Sequence, residues 1–148
     1  MSHLTISEFA DKVNELMPVI MREYVKIQGR EFYKLKITMP QFFVMDILNH
    51  NGETKMTDLA GSVNVTTAAM TGIVDRLVRD GYLIRVNDPE DRRIIKVKLT
   101  SKGNSVVRNI TEKRKELTIK MFGVISQEDR IAYLNILTSI KGALERQV

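Results

Sequence analysis

Arg92 and Arg93 follow the acidic, turn-rich run Asp88-Pro89-Glu90-Asp91, and Lys96 and Lys98 stand three and five residues beyond Arg93. A guanidinium on a projecting loop can enter a narrow A·T-rich minor groove, where the negative potential is enhanced. The aspartates look out of place on such a surface. A carboxylate one or two residues from an arginine can, however, fix the loop and aim the guanidinium. A second group lies upstream. Thr66 and Thr67 open a helical stretch, where hydroxyls and exposed N–H groups can meet a phosphate. Ala68 and Thr71 can offer methyl groups to thymine. An inert charged turn and an ordinary amphipathic helix have the same compositions, so neither group decides the matter alone.

The elements that must position these groups are legible around them. Thr57 is the expected cap of a short helix from Asp58 to about Ser62, followed by the turn Val63-Asn64-Val65. Thr66 caps a second helix that runs to about Asp80 and stops at Gly81. Its inner face is Met70, Ile73, Val74 and Leu77, and its outer face Thr67, Ala68, Thr71, Gly72, Asp75 and Arg79. Tyr82 to Val86 reads as a strand and Asn87 to Arg93 as a tip. Ile95, Val97 and Leu99 alternate with Lys96 and Lys98 as in a half-buried strand, with the lysines facing out. Helix, turn, helix and ribbon in this order make a winged helix-turn-helix.

The flanks are helical. Thr5 and Glu8 form a capping box for a helix from Ile6 to about Gly29, with Pro18 bending it. Arg30 to Lys36 reads as a basic-aromatic connector. Thr38 and Gln41 cap a helix beginning at Pro40, apolar nearly all round from Phe42 to Leu48 and therefore expected inside the fold. After Ser101 an apolar stripe of Val106, Val107, Ile110, Leu117 and Met121 returns. Gly123 breaks it, and Ser126 with Asp129 caps a last helix bearing Ile131, Leu134, Leu137, Ile140 and Leu144. The fold class is mainly α (α+β), a winged core between N- and C-terminal helices.

Bulk properties narrow the function. A chain of 148 residues with net charge +5 fits one basic domain with an anionic partner, nucleic acid ahead of membrane. With no cysteine there is no disulfide, thiol switch or cysteine-ligated zinc. His3 and His50 alone make a poor zinc set. No 18-residue apolar run or signal peptide is present, so a cytoplasmic location follows by default. No Gly-rich phosphate loop, nucleophile–base pair or metal-ligand spacing indicates an enzyme, and no cofactor is called for.

The run Leu83-Ile84-Arg85, Asp88-Pro89-Glu90-Asp91-Arg92-Arg93 and Val97-Lys98-Leu99-Thr100-Ser101-Lys102-Gly103 resembles the wing of the MarR family of transcriptional regulators. Asp58-Leu59-Ala60 and Asp75-Arg76-Leu77-Val78-Arg79-Asp80-Gly81-Tyr82-Leu83 resemble its two DNA-reading helices. The resemblance covers the chain in element order and implies one domain over residues 1–148. Within it, a lobe at about 38–100 would read DNA and helices at about 5–30 and 101–146 would interlock in a homodimer on a pseudo-palindromic operator. It places Arg93 in the minor groove, Asp91 as its brace and Arg92 on the backbone. Thr66, Thr67, Ala68, Thr71, Arg76 and Lys96 complete the DNA-binding set. Many members carry a basic or larger polar residue where this chain has Gly72.

The resemblance also implies a repressor released by a small aromatic or anionic effector between the dimer helices and the winged lobe. Candidates there are Arg22, Tyr24, Tyr33, Phe42, Met45 and His50. Tyr24 and Phe42 are equally readable as core, and His50 as an exposed helix end. The rival function is a winged helix used for protein–protein contact without DNA, which calls for an apolar outer helix face and no basic wing.

Overall fold

The computed structural model describes residues 4–146. Its elements in order are α1 (Ile6–Leu35), α2 (Met39–Asn51), β1 (Thr54–Lys55), α3 (Met56–Val63), α4 (Thr67–Arg79), β2 (Leu83–Asn87), β3 (Ile95–Leu99), α5 (Ser101–Phe122) and α6 (Gln127–Glu145). The expected winged helix-turn-helix class is the observed one. The chain divides into two compact units, Met1–Thr111 and Glu112–Val148. No described helix is long and apolar enough to cross a membrane.

In the first unit the capping box forms at α1: the Glu8 amide donates to Thr5 Oγ1, and the Thr5 amide donates to Glu8 Oε2 at 2.8 Å. The helix does not stop at Gly29. Residues 30–35, read as a connector, stay helical because nothing there breaks the ladder and Phe32 is buried, its ring edge-on to Phe42 at 5.5 Å. The stop is Lys36, left-handed at φ 54°, whose amide donates back to the Phe32 and Tyr33 carbonyls. Pro18 lies within the helix without ending it.

Thr38 and Gln41 cap α2 reciprocally, with Pro40 in the first turn, where a missing N–H is harmless. Phe42, Val44, Met45 and Leu48 are buried, but Phe43 is exposed and Ile47 half-buried. The helix therefore has an outer side that its apolar composition hides.

Lys55 rather than Thr57 precedes α3, and no side chain caps it. Strand β1, absent from the sequence expectation, holds this entry by pairing Thr54 with Val97 and Lys55 with Lys96. Asn64 takes the left-handed turn, a conformation asparagine tolerates, and Thr66 accepts the Ala69 amide at 3.2 Å to start α4. At its far end Tyr82 N–H bonds the Leu77 carbonyl and Gly81 N–H the Val78 carbonyl, a Schellman closure that requires the positive φ of Gly81.

The sheet order is β1-β3-β2, all antiparallel, with Leu83 opposite Leu99, Arg85 opposite Val97 and Asn87 opposite Ile95. Leu83 and Val97 join Phe42, Met45, Leu59, Met70, Val74, Leu77, Val107 and Ile110 in one core. Each full burial of this kind contributes roughly 1.5–3 kcal/mol. At the root of the wing a Cβ on Gly103 would overlap the Tyr82 carbonyl and Leu99 Cδ2. The Thr100 hydroxyl meanwhile donates to the Gly81 carbonyl at 2.7 Å.

In the second unit Ser126 caps α6, accepting the Asp129 amide at 3.0 Å, and the Phe122 and Tyr133 rings meet at a tilt of 33°, centroids 5.1 Å apart. No side chain of α6 is buried, and Leu134 is 62% exposed.

Candidate nucleic-acid interface

The wing tip is built by its aspartates. Asp88 Oδ1 accepts the Glu90 and Asp91 amides at 2.9 and 3.2 Å, and its Oδ2 meets Lys96 Nζ at 2.6 Å. The hydrogen bond from Lys96, followed by those two amides, draws the Asp88 carboxyl down to about 2. The same bond raises Lys96. Asp91 Oδ1 accepts the Arg93 amide at 2.9 Å, and the Ile94 amide returns to the Asp91 carbonyl. The brace thus acts on the backbone that carries Arg93, not on its guanidinium. Arg92 and Arg93 are exposed, and none of the described acidic side chains pairs with either.

Lys96, expected to face out, is turned to Asp88 with its side chain only 25% exposed. It closes the wing from within. Lys98 pairs with Glu53 at 3.2 Å, which ties β3 to the loop before β1.

The outer face of α4 carries Thr67, Ala68 and Thr71, all exposed. Thr71 Oγ1 donates to the Thr67 carbonyl at 2.9 Å, so its hydroxyl is committed within the helix. Thr66 is occupied as cap, although its own O–H remains free to donate. A Cβ on Gly72 meets nothing within 4 Å and the residue has no positive φ, so no internal packing calls for glycine there. Arg76 is exposed without a partner among the described residues. The residue that reaches the wing from α4 is Asp75, whose Oδ1 receives Arg85 Nη2 at 2.5 Å. Sequence spacing could not reveal that bond, because it joins a helix to a strand across the Gly81 turn.

The effector candidates are dispersed. Phe42 and Met45 are sealed in the core. Tyr24 is half-buried, its hydroxyl accepting from Gln28 Nε2 at 2.7 Å. Arg22 is exposed beside Glu23, and Tyr33, at 86% exposure, lies eleven residues on, about 16 Å along α1. His50 Nδ1 sits 2.7 Å from the Asp46 carbonyl at the exposed end of α2. His3 falls outside the described residues.

Comparison with known proteins adds an independent line. The MarR family model matches residues 37–95. The chain is 32% identical over 115 residues to an uncharacterized HTH-type transcriptional regulator, YfiV, of Bacillus subtilis (strain 168), covering 78% of this chain and 72% of that one. It is 30% identical over 135 residues to the HTH-type transcriptional repressor YetL of the same strain, covering 81% and 75%. A solved MarR family protein from Bacillus stearothermophilus shares the fold, with a TM-score of 0.85 at 20% identity over 95% of this chain and 99% of that one.

Proposed function

The chain belongs to the MarR family, and from that membership we propose that it is a sequence-specific, double-stranded-DNA-binding transcriptional regulator reading DNA with α4 and the β2–β3 wing. The observation that carries the assignment of surfaces is the wing tip. Two unpaired arginines stand on a loop whose every carboxylate contact holds backbone or Lys96, beside a helix face of small and hydroxylated residues. In this assignment Thr66, Thr67, Ala68 and Thr71 meet the major groove, Arg93 enters the minor groove, and Arg92 and Arg76 meet phosphates. Asp91 and Lys96 act indirectly by shaping the wing. No step of this function needs a catalytic group or a cofactor, and its place is the cytoplasm, with the DNA.

The working unit is a homodimer on a pseudo-palindromic operator. Its support is apolar surface that one chain leaves uncovered: Leu16, Ile20 and Ile27 on α1, and Leu134, Leu137 and Ile140 on α6. A second copy would cover such faces. Repression would be relieved by a small aromatic or anionic effector, for which Arg22, Tyr24, Tyr33 and His50 are the accessible candidates, whereas Phe42 is closed off in the core. The protein–protein alternative is disfavoured by the outer face of α4, which offers threonines and glycine where a docking face needs large apolar groups.

Genome-wide mapping of bound sites tests the function. A shared pseudo-palindromic motif under the peaks is expected, and no sequence enrichment over input would overturn it.

A further inference from the structure

Asp75 stands on the outer face of α4, in line with Thr67 and Thr71 at helical steps of four. A carboxylate is the wrong charge for a surface that meets phosphates. Its side chain is 56% exposed, so burial does not explain it, and an exposed ion pair contributes little to folding. What it does have is a specific partner. Arg85 Nη2 donates to Asp75 Oδ1 at 2.5 Å, joining the reading helix to the first wing strand two residues before Asn87, where the tip begins. Arg79, one helical turn beyond Asp75, is taken by Asp80 at 2.9 Å and does not compete.

We propose that Asp75 is a positioning residue for DNA recognition: through Arg85 it fixes the wing against α4, so that Arg93 meets the minor groove while Thr67 and Thr71 lie in the adjacent major groove. This rests on the DNA-reading function proposed above. The wing root is anchored at one point by the Thr100 hydroxyl on the Gly81 carbonyl. The Asp75–Arg85 bond adds a second point of attachment between helix and strand, and two points set an angle where one leaves a hinge. A charge-assisted bond suits this use because its directionality constrains geometry even where its net energy is small.

The test turns on sign. Asp75→Asn keeps the shape of the side chain and removes a negative charge from a face opposite a polyanion. Charge alone predicts tighter binding. Positioning predicts weaker binding, by about tenfold, a typical coupling for groups acting together. The probe is a duplex that the unaltered protein selects from a random-sequence pool, with affinities measured at one fixed salt concentration and folding checked by thermal melting. In the Asp75→Asn background Arg93→Ala should cost much less than it does alone, since the wing is no longer held in place. The reversed pair, Asp75→Arg with Arg85→Asp, should recover part of the loss. Equal or tighter binding by a folded Asp75→Asn protein would overturn the proposal, as would losses from Asp75→Asn and Arg93→Ala that simply multiply. If the unaltered protein selects no sequence, the DNA-reading function itself falls, and this proposal with it.

Discussion

Asp88 and Lys96 clasp the wing from within: Lys96 Nζ lies 2.6 Å from Asp88 Oδ2, while Asp88 Oδ1 holds the amides of Glu90 and Asp91. One carboxylate thereby connects the end of β2, the tip and the start of β3. The tip arginines project from a loop whose backbone is already held, so in the proposed complex less ordering would remain to be done on meeting DNA.

This clasp has a defined pH window. Asp88 is drawn down from 3.8 to about 2, so its contribution is fully present above the ordinary value and is lost as pH falls through about 2. Lys96 is raised above 10.5 by the same bond, so its contribution is present below that value and is lost as pH rises through the folded one. The clasp should not titrate anywhere near neutral pH. Carbon-13 NMR of the Asp88 carboxyl checks this: a midpoint near 2 is expected, and one at the unperturbed 3.8 would show that the clasp is open.

Arg93→Ala should weaken binding to a selected duplex by about 1–3 kcal/mol and reduce the salt slope by about one unit, without changing the melting temperature. Asp91→Ala removes the acceptor of the Arg93 amide and should lower affinity by about 0.5–1.5 kcal/mol while leaving the arginine in place. Wild-type affinity in both variants would remove the wing from the interface.

Two glycines should respond in opposite directions. The Cβ position of Gly72 is open, so Gly72→Ala should stabilise the protein by about 0.5–1 kcal/mol. The Cβ position of Gly103 is filled by the Tyr82 carbonyl and Leu99, so Gly103→Ala should destabilise it by about 1–3 kcal/mol. Urea denaturation of the two variants distinguishes the cases. A destabilising Gly72→Ala would mean that the α4 backbone is held more closely than its surroundings indicate.

What the sequence made legible was local. Thr5 with Glu8, Thr38 with Gln41, Thr66, and Gly81 each act on backbone within five residues, and all appear where their chemistry places them. What it hid depends on distant partners. β1 is two residues long and exists only because β3, some forty residues on, pairs with it. Thr57 lost its capping role to that pairing. Residues 30–35 remain helical because Phe32 packs on Phe42, and Lys36 supplies a left-handed stop that usually signals glycine. In the candidate site, Arg92, Arg93 and the bracing aspartates were visible from composition and spacing. That Lys96 turns inward and that Asp75 reaches Arg85 were not, since both are choices of partner made in three dimensions.

The uncovered face of α6 predicts a dimer that fails when charge is placed on it. Leu134→Arg combined with Leu137→Arg should raise the dimer dissociation constant by at least about tenfold or leave an insoluble chain. Sedimentation equilibrium would decide this, and an unchanged dimer would locate the interface elsewhere.

The most direct measurement is the affinity for a selected duplex, and for a scrambled one, across a series of salt concentrations. If α4 and the wing bind DNA through paired basic tips, log K should fall linearly with log salt, by about 0.9 per phosphate contact. The selected duplex should also stay preferred throughout. A flat salt dependence, or equal binding of the two duplexes, would contradict sequence-specific DNA recognition by this protein.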